Sequence, residues 1–583
     1  MKQSVFNLNT LKAHPERNAF DLSHNDVFSC APGMLLPISC TEVLPNEHYE
    51  INPQIFLRTM PLNSAAFVRM RQHIEFFFVP MRVLLRQFNQ FVVGTKYPIS
   101  ALDTLNDFNK TLPYVRLNEI RKWYVGTTQT DGLRISLREN SRRLFDLLEY
   151  GFASPRQITD KNYPDSYTQS TPSLKQDSPA LSILRLAAYQ KIYQDYYRNP
   201  YWESADASAF NFDDKFGLGL SFAADKERMT KLFTLRYRNW TKDFFTSVQP
   251  SFQGAPFVTK RISEVPYDLF LREVGQHSTG IPGSPSVNYG TSLPDSKSFN
   301  APSLVFNTGS NGYTLPVHNI RAAFALDKLY RLQQQAGNGS YGEQIRNRFG
   351  FGGVHDDWKA TYIGGSSSPV SIGEVITTAN TQLGIEGDNT ILGQTGDIYG
   401  KASSVNDARI TFDTKEHGII MGIFSVTPDA DYNSFGINPH NFKLNFENFY
   451  QPEFDRLGHQ PLNSYYLSCM STISDSNSLY WLQRVIGFQN RYLEYKTGVD
   501  KVHGQFCTGG TLSAWAAPRN SGIISESSGG TFGLYSLKVS PKIMNSICSV
   551  AFDGNDNTDP ILVDSHIGIK SIRPMSVSDE PLL

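Results

Sequence analysis

Strand-forming segments occupy both ends of this 583-residue chain, and helix-forming segments lie between them. Residues 27–80 contain runs rich in β-branched and aromatic residues, with prolines at positions 45, 61 and 80 marking the turns. Similar runs return in residues 405–575. Strands from the two ends can form one sheet only through long-range pairing, as in a Greek key or jelly roll. The pattern therefore predicts one mainly β antiparallel sandwich with long insertions.

The intervening part has the spacing of amphipathic helices. Residues 81–93 and 137–150 place Leu, Phe and Val on one face and Arg on the other. Ser178 followed by Pro179 predicts the start of a long helix that ends near Asn199. A further helix is predicted from Asn319 to a glycine C-cap at position 337. These helices are expected to lie against the strands.

Residues 275–316 are the least regular part of the chain, because 23 of these 42 residues are Gly, Pro, Ser or Asn. The segment is either a linker between two domains or a surface insertion that projects from a rigid body. Apolar anchors favour the insertion, since a linker would lack them. These anchors include Val287, Tyr289, Phe299, Phe306 and Tyr313.

The predicted organisation is a short N-terminal arm followed by one interrupted domain. The arm covers residues 1–26, and the domain covers residues 27–583, with strands drawn from 27–80 and 405–575. Two of its predicted insertions are helical and cover residues 81–202 and 317–360. The third is a variable surface insertion that covers residues 203–316.

Charge and cysteine content exclude several classes of protein. The 54 Lys and Arg residues are balanced by 55 Asp and Glu residues, which argues against coating nucleic acid by bulk electrostatics. Five cysteines without a CxxC pair predict neither a disulfide framework nor a zinc ribbon. An aromatic share of 13% with only 19% charged residues favours extensive buried contact, within or between subunits. The N-terminal residues lack the apolar run of a signal peptide, so we expect a cytoplasmic protein without membrane insertion.

Motifs for enzymatic chemistry are weak. Residues 337–342 fit G-x-G-x-x-G but follow a predicted helix rather than a strand, so the favoured interpretation is a helix-ending loop and not a cofactor site. The polar cluster at residues 355–357 is more typical of a solvated turn than of a metal site. Glu416 and His417 could form a base with its orienting partner, but no nucleophile is placed by the sequence. We therefore expect no catalytic residue, cofactor or metal.

Blocks of residues in a fixed order resemble the major capsid proteins of the Microviridae, particularly their gokushovirus-like branches. The blocks span most of the chain: RNAFDLSHNDVFSCAPGMLLPISCTEVLPNEHYEI and FFFVPMRVLLRQF near the start, ILRLAAYQKIYQDYYRNPYW, IRAAFALDKLYRLQQQAGNGSYGEQIRNRFG, EHGIIMGIFSVTPDADY, FDRLGHQPL, IGFQNRYLEYKTGVDKVHGQF, and IRPMSV near the end. Residues 203–316 match none of the family's motifs, and the resemblance implies a connection that varies and, in the gokushovirus-like branches, projects outward around the threefold axes. The apolar anchors of this segment are therefore candidate host-attachment residues.

This resemblance implies a bacteriophage structural protein rather than an enzyme. Its fold would be an eight-stranded viral jelly roll with large helical and loop insertions. About sixty copies would form a T=1 icosahedral shell in the virion, assembled in the bacterial cytoplasm. The expected partners are further copies of the chain, a circular single-stranded DNA genome, a small basic DNA-packaging protein, a minor capsid or pilot protein, a transient scaffolding protein and a bacterial surface receptor.

Two basic-aromatic segments, residues 196–202 and 236–240, interleave aromatic and basic residues, as single-strand DNA binding requires. A buried interface would use the same residue types. Together with the basic residues of the arm, the two segments supply the candidate DNA or interface residues: Lys12, Arg17, Tyr196, Tyr197, Arg198, Trp202, Arg236, Arg238 and Trp240.

The main alternative is a secreted-type β-sandwich that binds or hydrolyses carbohydrate, since aromatic platforms serve sugars equally well. Such a protein would need export and, for hydrolysis, a pair of carboxylates.

Overall fold

The computed structural model describes residues 17–93, 111–151 except 132 and 134, 179–250, 358–376, 398–455, 459–468, 485–519, 534–544, 547–548 and 559–577. The chain divides into two compact units, residues 1–249 with 358–583 and residues 250–357, and the fold below is that of the first. The predicted helix at 319–337, the glycine-rich segment 275–316 and the clusters at 337–342 and 355–357 lie outside the described residues.

Seventeen strands are described, ten of which form one large antiparallel sheet. In chain order the strands are β1 (Asn18–Asp21), β2 (His24–Cys30), β3 (Leu36–Val43), β4 (His48–Thr59), β5 (Met70–Pro80), β6 (Tyr114–Arg116), β7 (Ala180–Ser182), β8 (Gly219–Leu220), β9 (Thr361–Ile376), β10 (Ile398–Asp407), β11 (Ile410–Asp413), β12 (Gly418–Pro428), β13 (Asp431–Asn433), β14 (His459–Asn463), β15 (Val485–Asn490), β16 (Asp500–Val502) and β17 (Ile561–Arg573).

The ten strands occupy eight positions. β1 and β2 follow one another along the same edge of β17, and β10 and β11 do the same along β4. One half of the sheet, here called the open sheet, has the order β1/β2, β17, β4, β10/β11. The other half, the covered sheet, has the order β9, β5, β12, β3, and β9 pairs with β10 to join the two. Numbered by position along the chain, the orders are 1-8-3-6 and 5-4-7-2, which is the jelly-roll topology.

The two sheets face each other across a shared core. The rings of Phe28 in the open sheet and Phe424 in the covered sheet have centroids 5.7 Å apart, and those of Phe78 and Phe412 are 5.2 Å apart. Part of this interior is polar, since the Gln72 amide donates to the Ser404 hydroxyl of the opposite sheet at 2.9 Å. The Gln72 amide nitrogen also donates to the Ser368 hydroxyl at 2.9 Å, and such hydrogen bonds lower the cost of burying these polar groups between the sheets.

The helices lie in the long connection from β5 to β9 and in that from β12 to β17. They are α1 (Met81–Leu84), α2 (Phe88–Val93), α3 (Leu117–Gly126), α4 (Leu137–Leu147), α5 (Leu184–Ile192), α6 (Phe222–Phe233) and α7 (Leu493–Lys496). α5 continues as a π-helical turn over Tyr193–Tyr197 and packs on β5 and β12, while α4 packs on β3. No helix in the described ranges is long and apolar enough to cross a bilayer.

The predicted fold class is confirmed: the protein is a mainly β jelly roll with large helical and loop insertions. Several details differ from the sequence-based predictions. The long helix begins at Leu184 rather than Pro179, because Ala180–Ser182 pair with Tyr114–Arg116 as a short strand. β9 and the first seven residues of β10 lie outside the predicted strand ranges, and β1 lies within the predicted arm.

The first part of the predicted surface insertion packs inside the protein. Within residues 203–249, Phe233 and Leu235 are fully buried, and the Phe233 ring stacks edge-on against Trp123 at 5.1 Å. Phe233 is the last residue of the amphipathic helix α6, and Leu235 follows the helix into the core. The described portion of this insertion is therefore structural rather than projecting.

Candidate functional site

Residues 236–240, one of the two predicted basic-aromatic segments, run between two distant parts of the chain. The Leu35 N–H donates to the Arg236 carbonyl at 3.0 Å, and the Arg238 N–H donates to the Gly33 carbonyl at 2.7 Å. On the other side, the Val539 N–H donates to the Arg238 carbonyl at 2.9 Å. We call residues 33–35, 236–240 and 537–539 the insertion junction, because it joins both long insertions to the sandwich.

Gly33 makes the close approach at this junction possible. Its φ is +78°, a left-handed conformation that L side chains rarely adopt, and an added Cβ would lie 2.6 Å from the Val539 Cβ. A side chain here would therefore separate the backbone segments that the junction holds together.

Glu75 anchors the junction to the outer surface of the covered sheet. Arg238 Nη1 donates to Glu75 Oε2 at 2.8 Å and to the Ser425 hydroxyl at 3.0 Å. The Tyr197 hydroxyl donates to the same carboxylate, and the Arg238 guanidinium lies 5.5 Å from the Tyr197 ring centroid. Burial and the neighbouring carboxylate raise the pKa of Tyr197 well above its ordinary value, so this hydroxyl remains a donor.

Lys538 forms a second buried anchor. Its Nζ donates to the Tyr193 hydroxyl at 2.5 Å and lies 3.3 Å from a Glu203 carboxylate oxygen. Burial lowers the pKa of Lys538 to about 8, although Glu203 opposes this by favouring the charged form. The Arg236 guanidinium also lies over the Tyr193 ring, 4.8 Å from its centroid.

The structure brings the two predicted basic-aromatic segments together, mainly as packing between insertions. Tyr197 and Trp240 are buried, the Trp202 indole donates to the Val248 carbonyl at 2.8 Å, and Arg198 donates to the Glu203 carbonyl at 2.6 Å. Tyr196 keeps 39% of its surface exposed.

The remaining candidates are less enclosed or fall elsewhere. Arg17 is exposed and donates to the Asn46 carbonyl at 3.0 Å, whereas Lys12 lies outside the described residues. The candidate attachment residues Val287, Tyr289, Phe299, Phe306 and Tyr313 also lie outside them. A DNA or subunit contact by these residues stays a prediction.

Within the part of the chain that the structure describes, the outer face of the open sheet exposes several apolar side chains. Buried and exposed residues alternate along β17. Across the paired strands, one row on the outer face contains Val27, Asp564, Phe56 and Val405 side by side. Val27 is 81% and Val405 66% exposed, and Leu562 lies one row away with 44% exposed. Sequence analysis missed this apolar row, because only the strand register reveals that residues so far apart are neighbours.

Charges of both signs lie on the open sheet, and some of them are paired with one another. Arg409 contacts Glu50 at 2.8 Å, and His48 contacts Asp413 at 2.7 Å. The Arg58 guanidinium lies over the Phe56 ring at 4.6 Å. This mixed, balanced surface lacks the clear cationic surplus that recognition of a phosphate backbone requires, and it is more typical of contact with protein.

Glu416 and His417, considered above as a base and its orienting partner, do not form a dyad in the structure. Glu416 accepts a hydrogen bond from Arg82 Nε at 2.7 Å, while the His417 ring packs on Phe88 at 5.7 Å. Within the described ranges, no group of three or more His, Cys, Asp or Glu side chains is arranged to hold a metal ion.

Comparison with known proteins gives a consistent result. Residues 9–113 and 157–521 match the family described as "Capsid protein (F protein)". The capsid protein VP1 of Chlamydia phage 1 is 24% identical over 575 residues, covering 86% of this chain and 87% of that protein. The capsid protein VP1 of Bdellovibrio phage phiMH2K is 20% identical over 516 residues, covering 85% of this chain and 83% of that protein.

Proposed function

Because this chain belongs to the phage F capsid protein family, we propose that it assembles with copies of itself into the T=1 icosahedral shell of a small single-stranded DNA bacteriophage. Membership of the family makes it a structural protein of the virion. About sixty copies would enclose the circular genome, and assembly would take place in the cytoplasm of the bacterial host.

The observation that carries the proposal is the contrast between the two sheets of the jelly roll. The insertions of the chain cover the outer surface of one sheet, whereas the other sheet exposes four adjacent strand positions and an apolar row. A subunit with a complete core and an exposed apolar surface is suited to association, because burial of apolar area drives assembly.

Charge balance supports the further partners. A formal charge of −1 per chain cannot neutralise a packaged genome, so a small basic packaging protein would supply the missing positive charge. We also propose a transient scaffolding protein and a minor capsid or pilot protein as assembly partners, on the basis of the family alone.

The direct test is the size of the particle. The chain would be produced together with the other virion proteins, then examined by sedimentation and electron microscopy. We expect closed shells in which this chain is the main protein. A monodisperse monomer that binds or hydrolyses glycans under the same conditions would overturn the proposal.

The second part of the proposal is host attachment by the segment 275–316. We expect that deletion of this segment leaves shells able to form but reduces adsorption to host cells. Adsorption assays with purified particles measure this. Unchanged adsorption would refute the attachment role, and loss of shells would assign the segment to assembly instead.

A further inference from the structure

The connection between β12 and β17 exposes an unusual concentration of large apolar side chains. Leu444 is 84% exposed and Phe446 78% exposed, and close to half of each of four further side chains is accessible. Together these six residues define the aromatic surface: Leu444, Phe446, Phe449, Tyr450, Phe454 and Tyr495. We propose that the aromatic surface is a contact between copies of this chain in the assembled particle, an inference that rests on the proposed function.

The side chains of the aromatic surface are linked to one another. The Tyr450 ring lies 5.0 Å from that of Tyr492 and 6.1 Å from that of Tyr495. Arg491 connects Phe454 to this group, with its guanidinium 5.0 Å from the Phe454 centroid and 5.3 Å from that of Tyr492.

Phe446 is joined to this group through Gln451, whose side chain donates to the Phe446 carbonyl at 3.3 Å and whose N–H donates to the Tyr492 hydroxyl at 3.3 Å. Phe449 donates its N–H to the same carbonyl at 3.2 Å, and Leu444 directly follows Lys443, which lies against the Tyr495 ring. The six residues therefore belong to one local group in this connection.

Polar contacts behind the patch hold it in place. Lys443 and Glu494 form an ion pair at 3.2 Å, with only 8% and 11% of their side chains exposed. Lys443 Nζ also lies 3.5 Å from the Tyr495 ring centroid, and the Gln460 amide donates to Glu494 at 2.7 Å. A surface ordered in advance loses less conformational entropy on binding, which favours a specific contact.

The exposed area is large enough for a specific interface. With about 150–250 Å² for a complete aromatic side chain, the six residues expose roughly 700 Å². The largest apolar patch of an ordinary monomer is about 300–600 Å². One partner in a standard interface contributes about 800 Å². The aromatic surface is therefore larger than the apolar patch of an ordinary monomer and approaches the area that one partner contributes to a standard interface.

Charge selects the class of partner. Two lysines beside the patch are paired with carboxylates, Lys443 with Glu494 and Lys496 with Asp455 at 2.6 Å, and the Arg491 guanidinium lies against the Phe454 and Tyr492 rings. Such a surface offers little to phosphate groups, whether of DNA or of lipid headgroups, and it matches the apolar centre of a protein interface. In a closed symmetric shell each copy meets other copies through the same surfaces, so a second copy of this chain is the fitting occupant.

The first test compares assembly of two double variants. Leu444→Asp with Phe446→Asp places two charges on the most exposed part of the surface, and Leu444→Met with Phe446→Tyr is the control that keeps its apolar character. Both positions are highly exposed in the subunit, so both variants should fold with wild-type circular dichroism and melting temperature. We expect at least a tenfold loss of particles for the charged variant and near wild-type yield for the control.

Particles at wild-type yield from the charged variant would overturn the inference while leaving the proposed function intact. If the wild-type chain itself formed no particles, the proposed function would fail instead. A charged variant that misfolds is resolved by the second test, which needs no disruptive substitution.

That second test identifies the neighbour directly. Phe446 would be replaced by the photoreactive residue p-benzoylphenylalanine, and intact particles would be irradiated. We expect a cross-linked product of about twice the 65.5 kDa mass of the chain. Cross-linking only to a different virion protein, to added vesicles of anionic phospholipid, or to nothing would overturn the inference.

Discussion

β12 and β17 are central strands of similar length, one in each sheet, yet their burial differs. All 11 residues of β12 are buried, whereas β17 alternates between buried and exposed positions. The reason lies outside the sheets: α5 packs on the outer surface of β12, and the outer face of β17 is accessible. An apolar run thus indicates a strand covered on both faces, and alternation indicates one covered on a single face.

The largest expected effect comes from matched substitutions on the outer faces of the two sheets. Ile423 of β12 is 1% exposed and Val405 of β10 is 66% exposed. We expect Ile423→Ala to lower the free energy of unfolding by about 2–5 kcal/mol, because it leaves a cavity beneath the insertion. Val405→Ala should change it by no more than about 0.5 kcal/mol. Denaturant unfolding of purified subunits measures both, and equal losses would remove the distinction between the sheets.

A pair of carboxylate substitutions sharpens the same contrast. Glu75, on the covered sheet, binds Arg238, Tyr197 and the junction, whereas Glu50, on the open sheet, pairs with Arg409, whose side chain is 76% exposed. We expect Glu75→Gln to cost about 1–3 kcal/mol, since charged hydrogen bonds are lost in a half-buried setting. Glu50→Gln should cost less than about 1 kcal/mol. Urea midpoints compare the two, and a larger loss at Glu50 would contradict the proposed anchoring role of Glu75.

The most gradual effect should appear in the pH dependence of stability. His73 of β5 lies beneath the insertions, where burial and the nearby Arg238 lower its pKa from 6.5 to about 4. Between these values the unfolded chain binds a proton that the folded chain does not, so stability falls as pH drops from 6.5 to 4. This histidine contributes at most about 1.4 kcal/mol per pH unit.

Substitution of His73 isolates that contribution. His73→Gln removes the titrating group while keeping a polar side chain near the Thr427 hydroxyl, which lies 2.9 Å from the histidine Nε2. Melting temperatures of the variant should decline less steeply than those of the wild-type subunit between pH 6.5 and 4. Parallel curves would show that His73 titrates normally and that the covering insertion does not exclude water from it.

The two sheets also differ in how well sequence patterns predict them. β12 and β17 were predicted because their sequences are rich in apolar strand-forming residues. β9 and most of β10 were not predicted. Their inner faces are lined with serines and an asparagine: Ser366 donates to Asn406 at 2.7 Å, and Ser404 accepts from Gln72 at 2.9 Å. Polar residues buried through mutual hydrogen bonds look like loop residues in a single sequence.

The candidate site shows the same limit in another form. Interleaved arginines and aromatic rings are typical of nucleic-acid contact, yet Arg236 and Arg238 stack on Tyr193 and Tyr197 inside the protein. The same cation–π chemistry serves both purposes, so residue type cannot distinguish them. Glu75 carried a better signal, as a lone carboxylate in the apolar run of β5, which requires a buried partner.

The position of β17 has a consequence for biosynthesis. This strand lies between β2 and β4, and all of the chain between Thr59, where β4 ends, and Ile561, where β17 begins, must be translated before β17 can pair with them. At about 5–20 residues per second, an edge of β4 waits on the order of a minute for its neighbour. During that time the nascent chain exposes unpaired strand edges, so a ribosome-associated chaperone that delays aggregation would raise the yield of the finished protein.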